Sequence, residues 1–121
     1  MATNSQIAFN PQGETVLFIA DAPSPLGVQA PVSDKFSANE TGQVRIVNGG
    51  TVAVYMGVGN TAAEAQTNAD TALSLTANGD TASVVVLLPG AIEIMRFPYG
   101  SYFSGTSTAA SNVYITPGQG L

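Results

Sequence analysis

Hydrophobic positions along the chain alternate with polar ones in short runs, and turn-forming residues punctuate them at spacings of about 8 to 12 residues. The most prominent stretch is residues 43–59, QVRIVNGGTVAVYMGVG. Val44 and Ile46 fall on one side of an extended chain, Arg45 and Val47 on the other. After Asn48-Gly49-Gly50, Val52, Val54 and Met56 line one face of a second strand, with Ala53 and Tyr55 behind them. Asn and Gly tolerate the positive φ of tight reversals, so the pattern predicts a β-hairpin here. A three-residue loop would set Val44 opposite Val54, whereas a two-residue loop would pair Val47 with Val52.

The same reading predicts a second hairpin over residues 83–97, SVVVLLPGAIEIMRF, with Pro89-Gly90 at the centre of a type II turn. The continuous apolar run 84–88 suits a strand covered on both faces or buried at a subunit contact. Residues 91–97 alternate, with Ile92, Ile94 and Arg96 on one side and Ala91, Glu93, Met95 and Phe97 on the other. Further strands are expected at 15–20, 28–32, 71–75, 100–104 and 112–116, with Pro117-Gly118 ending regular structure. Residues 33–42 are charge-rich and read as a solvated loop, and Asn78-Gly79-Asp80 as a turn. The Ala-rich stretch 60–70 permits a short helix capped by Asn60 or Thr61 with Glu64 in its first turn. It has no large apolar face, so a loop with one helical turn is the competing reading. Residues 1–14 read as an extended polar arm anchored by Ile7 and Phe9, and 15–121 as a single domain. The fold expected is all-β, an antiparallel two-sheet sandwich of jelly-roll type, with an immunoglobulin-like sandwich as the alternative.

Composition narrows the function classes. Of 121 residues only 9% are charged, against a usual share of about 25%, while 45% are hydrophobic. A surface so poor in charge suits a protein that works in an assembly, where each contact then desolvates few ions. The net charge is −5, and Lys35, Arg45 and Arg96 are the only basic side chains. No row of cations exists to neutralise phosphates, so neither nucleic acid nor an anionic membrane surface is an expected partner. Cys and His are both absent, which removes disulfides, the nucleophile–histidine triads and the usual zinc sites. No secretory leader is expected from the first residues, MATNSQIAF, and no apolar run approaches the roughly 20 residues that span a bilayer.

Little catalytic chemistry is left. Glu93 stands in an apolar strand where desolvation would favour its neutral form, but a solvated position or a pairing with Arg96 or Arg45 is the plainer reading. Asp21, Asp34 and Glu40 are loop acids without calcium-loop spacing, and nothing places Lys35 for a covalent cross-link. Gly57-Val58-Gly59 lacks the Lys and following Gly of a phosphate loop and reads as a strand end. No catalytic, cofactor-binding or metal residue is assigned, and an enzyme is not expected. In the cluster FPYGSYF, residues 97–103, Phe97 and Phe103 suit a core, with Tyr99 and Tyr102 at a rim, a protein contact or a sugar platform.

Taken in order, GVQAP at 27–31, VRIVNGGTVAVYMGVG, the Ala-rich insert, LLPGAIEIMRFPYGSYFSG and the ending VYITPGQGL at 113–121 resemble small structural proteins of tailed bacteriophages and prophages. The resemblance spans about three-quarters of the chain and rests on turns and strands, so it carries over no functional residue. It implies a virion component of the capsid decoration or cement type. Such a protein would be made in the bacterial host cytoplasm and bind the outside of the shell as a dimer or trimer, stapling neighbouring major capsid subunits. The residues expected to make contacts are Ile7, Phe9, Tyr99, Tyr102 and Tyr114. Two alternatives share this composition: a tail, connector or fibre-associated component, and a carbohydrate-binding β-sandwich module.

Overall fold

The computed structural model describes residues 10–11, 13–29, 41–98 and 100–119. In chain order these form β1 (Asn10–Pro11), β2 (Val16–Ala20), β3 (Val28–Gln29), β4 (Thr41–Asn48), β5 (Val54–Gly59), α1 (Ala62–Asp70), a 3-10 turn (Thr71–Ser74), β6 (Val85–Leu87), β7 (Ile92–Pro98), β8 (Tyr102–Thr106) and β9 (Ser111–Gln119). Period-2 alternation makes the strands two-faced, and burying one face of each requires a second sheet. Sheet A has the lateral order β2–β9–β4–β7, with the two-residue β1 sharing the β2 side of β9. Sheet B has the order β3–β8–β5–β6, and every pairing in both sheets is antiparallel.

This is the strand order of a jelly roll. From β2 onward each strand hands the chain to the opposite sheet, except that β5 and β6 are neighbours in sheet B. An immunoglobulin-like sandwich keeps its first two strands in one sheet, whereas β2 and β3 lie in different ones. Between the sheets, Phe18, Val44, Ile46, Val113 and Ile115 of sheet A meet Val54, Met56, Leu87 and Phe103 of sheet B. Phe97 closes one side of this core edge-to-face on Phe103, with ring centroids 5.2 Å apart.

Both predicted hairpins are turns but not hairpins. β4 pairs with β7 and β9, and β5 with β6 and β8, so the chain crosses between sheets at Asn48-Gly49-Gly50. It crosses back at Pro89-Gly90. There the Ala91 amide donates to the Leu88 carbonyl and Gly90 has φ +76°, the type II geometry expected, but β6 and β7 belong to different sheets. Asn48, fully buried, fastens the two crossings together. Its backbone N–H donates to Ala91 and its carbonyl accepts from Gly90. Its Nδ2 donates to the carbonyls of Val52, Leu87 and Leu88, and its Oδ1 accepts from the Gly50 amide and the Ser111 hydroxyl. Turn chemistry fixed the reversals; the choice of partner strand went to the second sheet.

The Ala-rich stretch is a helix, capped by Thr61, whose Oγ1 accepts from the Glu64 amide while Glu64 Oε1 accepts from the Asn60 amide. It docks on the outer face of sheet B without large side chains. A Cβ on Gly57 would stand 2.3 Å from the Ala69 nitrogen, and one on Gly59 2.7 Å from the Ala65 nitrogen. Two glycines on the outward positions of β5 therefore let the helix backbone, through buried Ala65 and Ala69, lie directly on the strand. The Thr106 hydroxyl donates to the Ala69 carbonyl and the Asn68 amide to Val58, which fixes the helix in register.

Other expectations are corrected. Residues 71–74 are a 3-10 turn, not a strand. Strand β6 is covered on its inner face alone: Leu87 is in the core, while Val86 and the following Leu88 are exposed. Strand β9 continues through Pro117-Gly118, with Pro117 opposite Val44. Pro117 sits where β1 and β2 are interrupted on the other side of β9, a place that needs no ladder donor from that direction. Asn10–Pro11, the end of the expected arm, is already part of sheet A. The charge-rich loop ends before Thr41, where β4 begins.

Candidate protein-docking face

The outer face of sheet A follows from the register. Leu17 is opposite Tyr114, Tyr114 opposite Val47, and Val47 opposite Ile92. These four side chains make one cross-strand row through β2, β9, β4 and β7, about 14 Å wide at the usual strand spacing. The row above continues from Ile19 to Asn112, and the row below runs from Thr116 through Arg45 to Ile94. Exposure is 44% for Leu17, 48% for Ile19, 64% for Ile92, 41% for Ile94 and 38% for Tyr114. Scattered exposed apolar residues are ordinary, but a contiguous set on a flat sheet face marks an interaction surface. Tyr114 stands at its centre. Its ring lies over Gly49, where a Cβ would come within 2.9 Å of the ring, and its hydroxyl accepts from the Asn112 amide at 3.4 Å.

The expected contact residues do not gather at one place. Tyr114 belongs to this face. Tyr102 is half-buried on the outer face of sheet B, next to Gly59, so the two tyrosines look away from opposite sides of the sandwich. Ile7, Phe9 and Tyr99 lie outside the described residues, as do Asp34, Lys35 and Glu40. Leu17, Ile19, Ile92 and Ile94 were not singled out from the sequence. One signal for them was available: residues 16–20, VLFIA, are apolar on both faces of a strand, and only one face can enter the core.

Chemistry elsewhere is sparse. Glu93 is exposed, the solvated one of the two positions expected of it, and projects from the side of β7 opposite to Arg96 and, across the pairing, Arg45. Asp21 accepts from the Ala22 amide and Asp70 from the Ser24 hydroxyl. Asp80 accepts from the amides of Thr76 and Ala77 and from the Thr76 hydroxyl, and these bonds hold its carboxyl below the usual value. Among the described residues no three His, Cys, Asp or Glu side chains converge as metal ligands, and no helix is long and apolar enough to cross a membrane. A recess of about 140 Å³ lined by Ala22, Tyr55, Ala72, Leu73, Thr106, Ser107 and Thr108 is open to solvent, and its accessible surface is almost wholly apolar.

Comparison gives no relative. No family model, curated protein or solved structure matches the chain. The strand order and the outer face of sheet A are therefore what a functional reading has to stand on.

Proposed function

We propose that this chain is a structural virion protein of the capsid decoration type, which binds the exterior of a phage shell and links neighbouring major capsid subunits. The observation that carries the reading is the apolar row Leu17–Tyr114–Val47–Ile92 crossing the full width of sheet A, with Ile19 and Ile94 beside it. Such a face binds by excluding water from a broad flat contact, a Tyr at its centre supplying large area at small entropic cost. The exposed edge of β7, unpaired among the described residues, offers backbone groups for strand addition next to the same face. A low charge density keeps the cost of desolvation small, and attachment of several copies raises avidity beyond any single contact. No reaction is involved.

The test is quantitative mass spectrometry of particles from the phage that encodes the chain, with wild type compared to Leu17→Asp and Ile92→Asp. Both positions are exposed, so folding should be retained while attachment falls at least about ten-fold for each. A ratio to the major shell protein near one, or a simple fraction of it, supports decoration. A few copies per particle would move the chain to the tail or neck, and absence from the particle would refute a virion role.

A further inference from the structure

We infer that Asn78 is a site of spontaneous covalent modification. Its side-chain amide is lost by ring closure onto the Gly79 nitrogen, while the identical Asn48-Gly49 pair is protected by the fold. Asn followed by Gly occurs twice in the chain, at 48–49 and at 78–79. Glycine has no Cβ to obstruct the approach of its nitrogen to the preceding side chain, so both pairs are chemically competent. Their surroundings separate them. Asn48 is fully buried, its Nδ2 donates to three carbonyls, and its Oδ1 accepts two bonds. The nitrogen that would attack, that of Gly49, donates to the Asn112 carbonyl at 2.8 Å. The carboxamide cannot turn without breaking all of its bonds, and burial closes it to hydroxide. Reaction at Asn48 therefore waits for the sandwich to unfold, which slows it by roughly 10³-fold or more.

Asn78 has the opposite setting. Residues 73–80 are all exposed, and a Cβ on Gly79 would meet nothing within 4 Å. Among the described residues neither the Asn78 carboxamide nor the Gly79 N–H has a hydrogen-bond partner. The pair occupies the centre of a type II turn, in which the Asp80 amide donates to the Ala77 carbonyl at 3.1 Å and Gly79 has φ +89°. The first central residue of such a turn has ψ of about +120°, which points the next nitrogen away from its own Cβ, so ring closure needs the turn to open. Only that backbone bond and the three that Asp80 accepts from Thr76 and Ala77 oppose opening. The Ser83 amide, bonded to Thr71 Oγ1 at 2.9 Å, ties the neck of the loop. Opening thus stays within residues 72–82 and leaves the sandwich intact.

The chemistry balances with water alone. Hydroxide removes the Gly79 amide proton, the nitrogen bonds to Asn78 Cγ, and the Cγ–Nδ2 bond breaks with release of ammonia. The cyclic imide that results then takes up one water. Opening at Cγ leaves aspartate at 78, whereas opening at the backbone carbonyl leaves isoaspartate, with the main chain routed through Cβ and Cγ. Either product sets a new carboxylate two residues from Asp80, and like charges so close repel. Isoaspartate also lengthens the backbone by one carbon, which removes the spacing that closes Ala77 onto Asp80.

The experiment incubates the full-length chain at pH 8, native and in urea, and follows the replacement of NH2 by OH with peptide mass spectrometry. An isoaspartyl methyltransferase scores the isomer, and isoelectric focusing reads the added charge. Native wild type should react at Asn78 within about ten-fold of its rate in urea, with Asn48 unchanged until urea is present. Asp80→Ala, which frees the turn, should raise the Asn78 rate about two- to ten-fold. Asn78→Ser should stop the acidic shift of the native protein. An Asn78 that reacts in urea but is as slow as Asn48 in the native chain would overturn the assignment, as would an Asn48 that reacts first. An acidic shift that persists in Asn78→Ser would place the modification elsewhere. An Asp80→Ala rate equal to wild type would refute the turn as the gate.

Discussion

Replacing Asn48 tests whether the two sheet crossings depend on one side chain. In Asn48→Ala, five side-chain hydrogen bonds disappear. The Leu87 carbonyl and the Ser111 hydroxyl are buried partners, and a buried polar group left unpaired costs about 1–3 kcal/mol. The remaining partners are partly accessible, and a water in the vacated space recovers some of the loss. The expected destabilisation is about 2–4 kcal/mol, a large part of the roughly 5–15 kcal/mol that holds a domain together. Asn48→Asp keeps the acceptor for Gly50 and Ser111 but turns an oxygen toward three carbonyls. The ionised form is then disfavoured in the folded state, which raises the carboxyl's folded pKa above its unfolded value of about 3.9. Stability of this variant consequently falls as pH rises from that value through the raised one. Urea unfolding followed by far-UV circular dichroism, at pH 5 and pH 8, compares the two variants directly. Asn48→Asp should be the less stable at pH 8 and should gain on Asn48→Ala at pH 5. An Ala variant within about 1 kcal/mol of wild type, or an Asp variant no worse than Ala at pH 8, would refute the claim that this amide holds the crossings.

Two further substitutions probe the helix layer. Gly57→Ala would drive a methyl into the Ala69 nitrogen and the Ala65 carbonyl, backbone atoms that cannot rotate away. A loss of about 2–3 kcal/mol is expected, with faster hydrogen exchange confined at first to α1; unchanged exchange there would show that the helix does not rest on the strand. For Asp80, the sign is that of a depressed carboxyl: its stabilisation of the 76–80 turn is present above the ordinary Asp value and lost as pH falls through the lowered one. An NMR titration should place its midpoint below that of an ordinary Asp, and Asp80→Ala should speed exchange of the Thr76 and Ala77 amides.

The fold class was readable because alternation and turn chemistry are local. Which strands meet was not. Asn48-Gly49-Gly50 and Pro89-Gly90 announce reversals, but a turn of either kind returns the chain equally well to its own sheet or to the one facing it. In a jelly roll the facing sheet wins almost everywhere, because long-range burial outweighs the local convenience of a hairpin. The helix was ambiguous for a related reason: its docking depends on Gly57 and Gly59, and a missing side chain leaves no hydrophobic signal. The candidate face was hidden by its resemblance to core. In residues 91–97 the isoleucines mark the more apolar side, yet Ala91, Met95 and Phe97 face the interior and Ile92 and Ile94 face out. Tyr114 was singled out from its sequence alone, whereas its neighbours in the row depend on a register no local pattern contains.

The place of β9 has a consequence for how the molecule comes into being. It is the last strand described, yet it lies in the middle of sheet A, between β2 and β4. During synthesis those two strands emerge long before the segment that joins them, and residues 111–119 must clear the ribosome before sheet A can close. Until then the edges of β2 and β4 that face β9 have no ladder partner, so completion of sheet A is a late event that brings distant parts of the chain together.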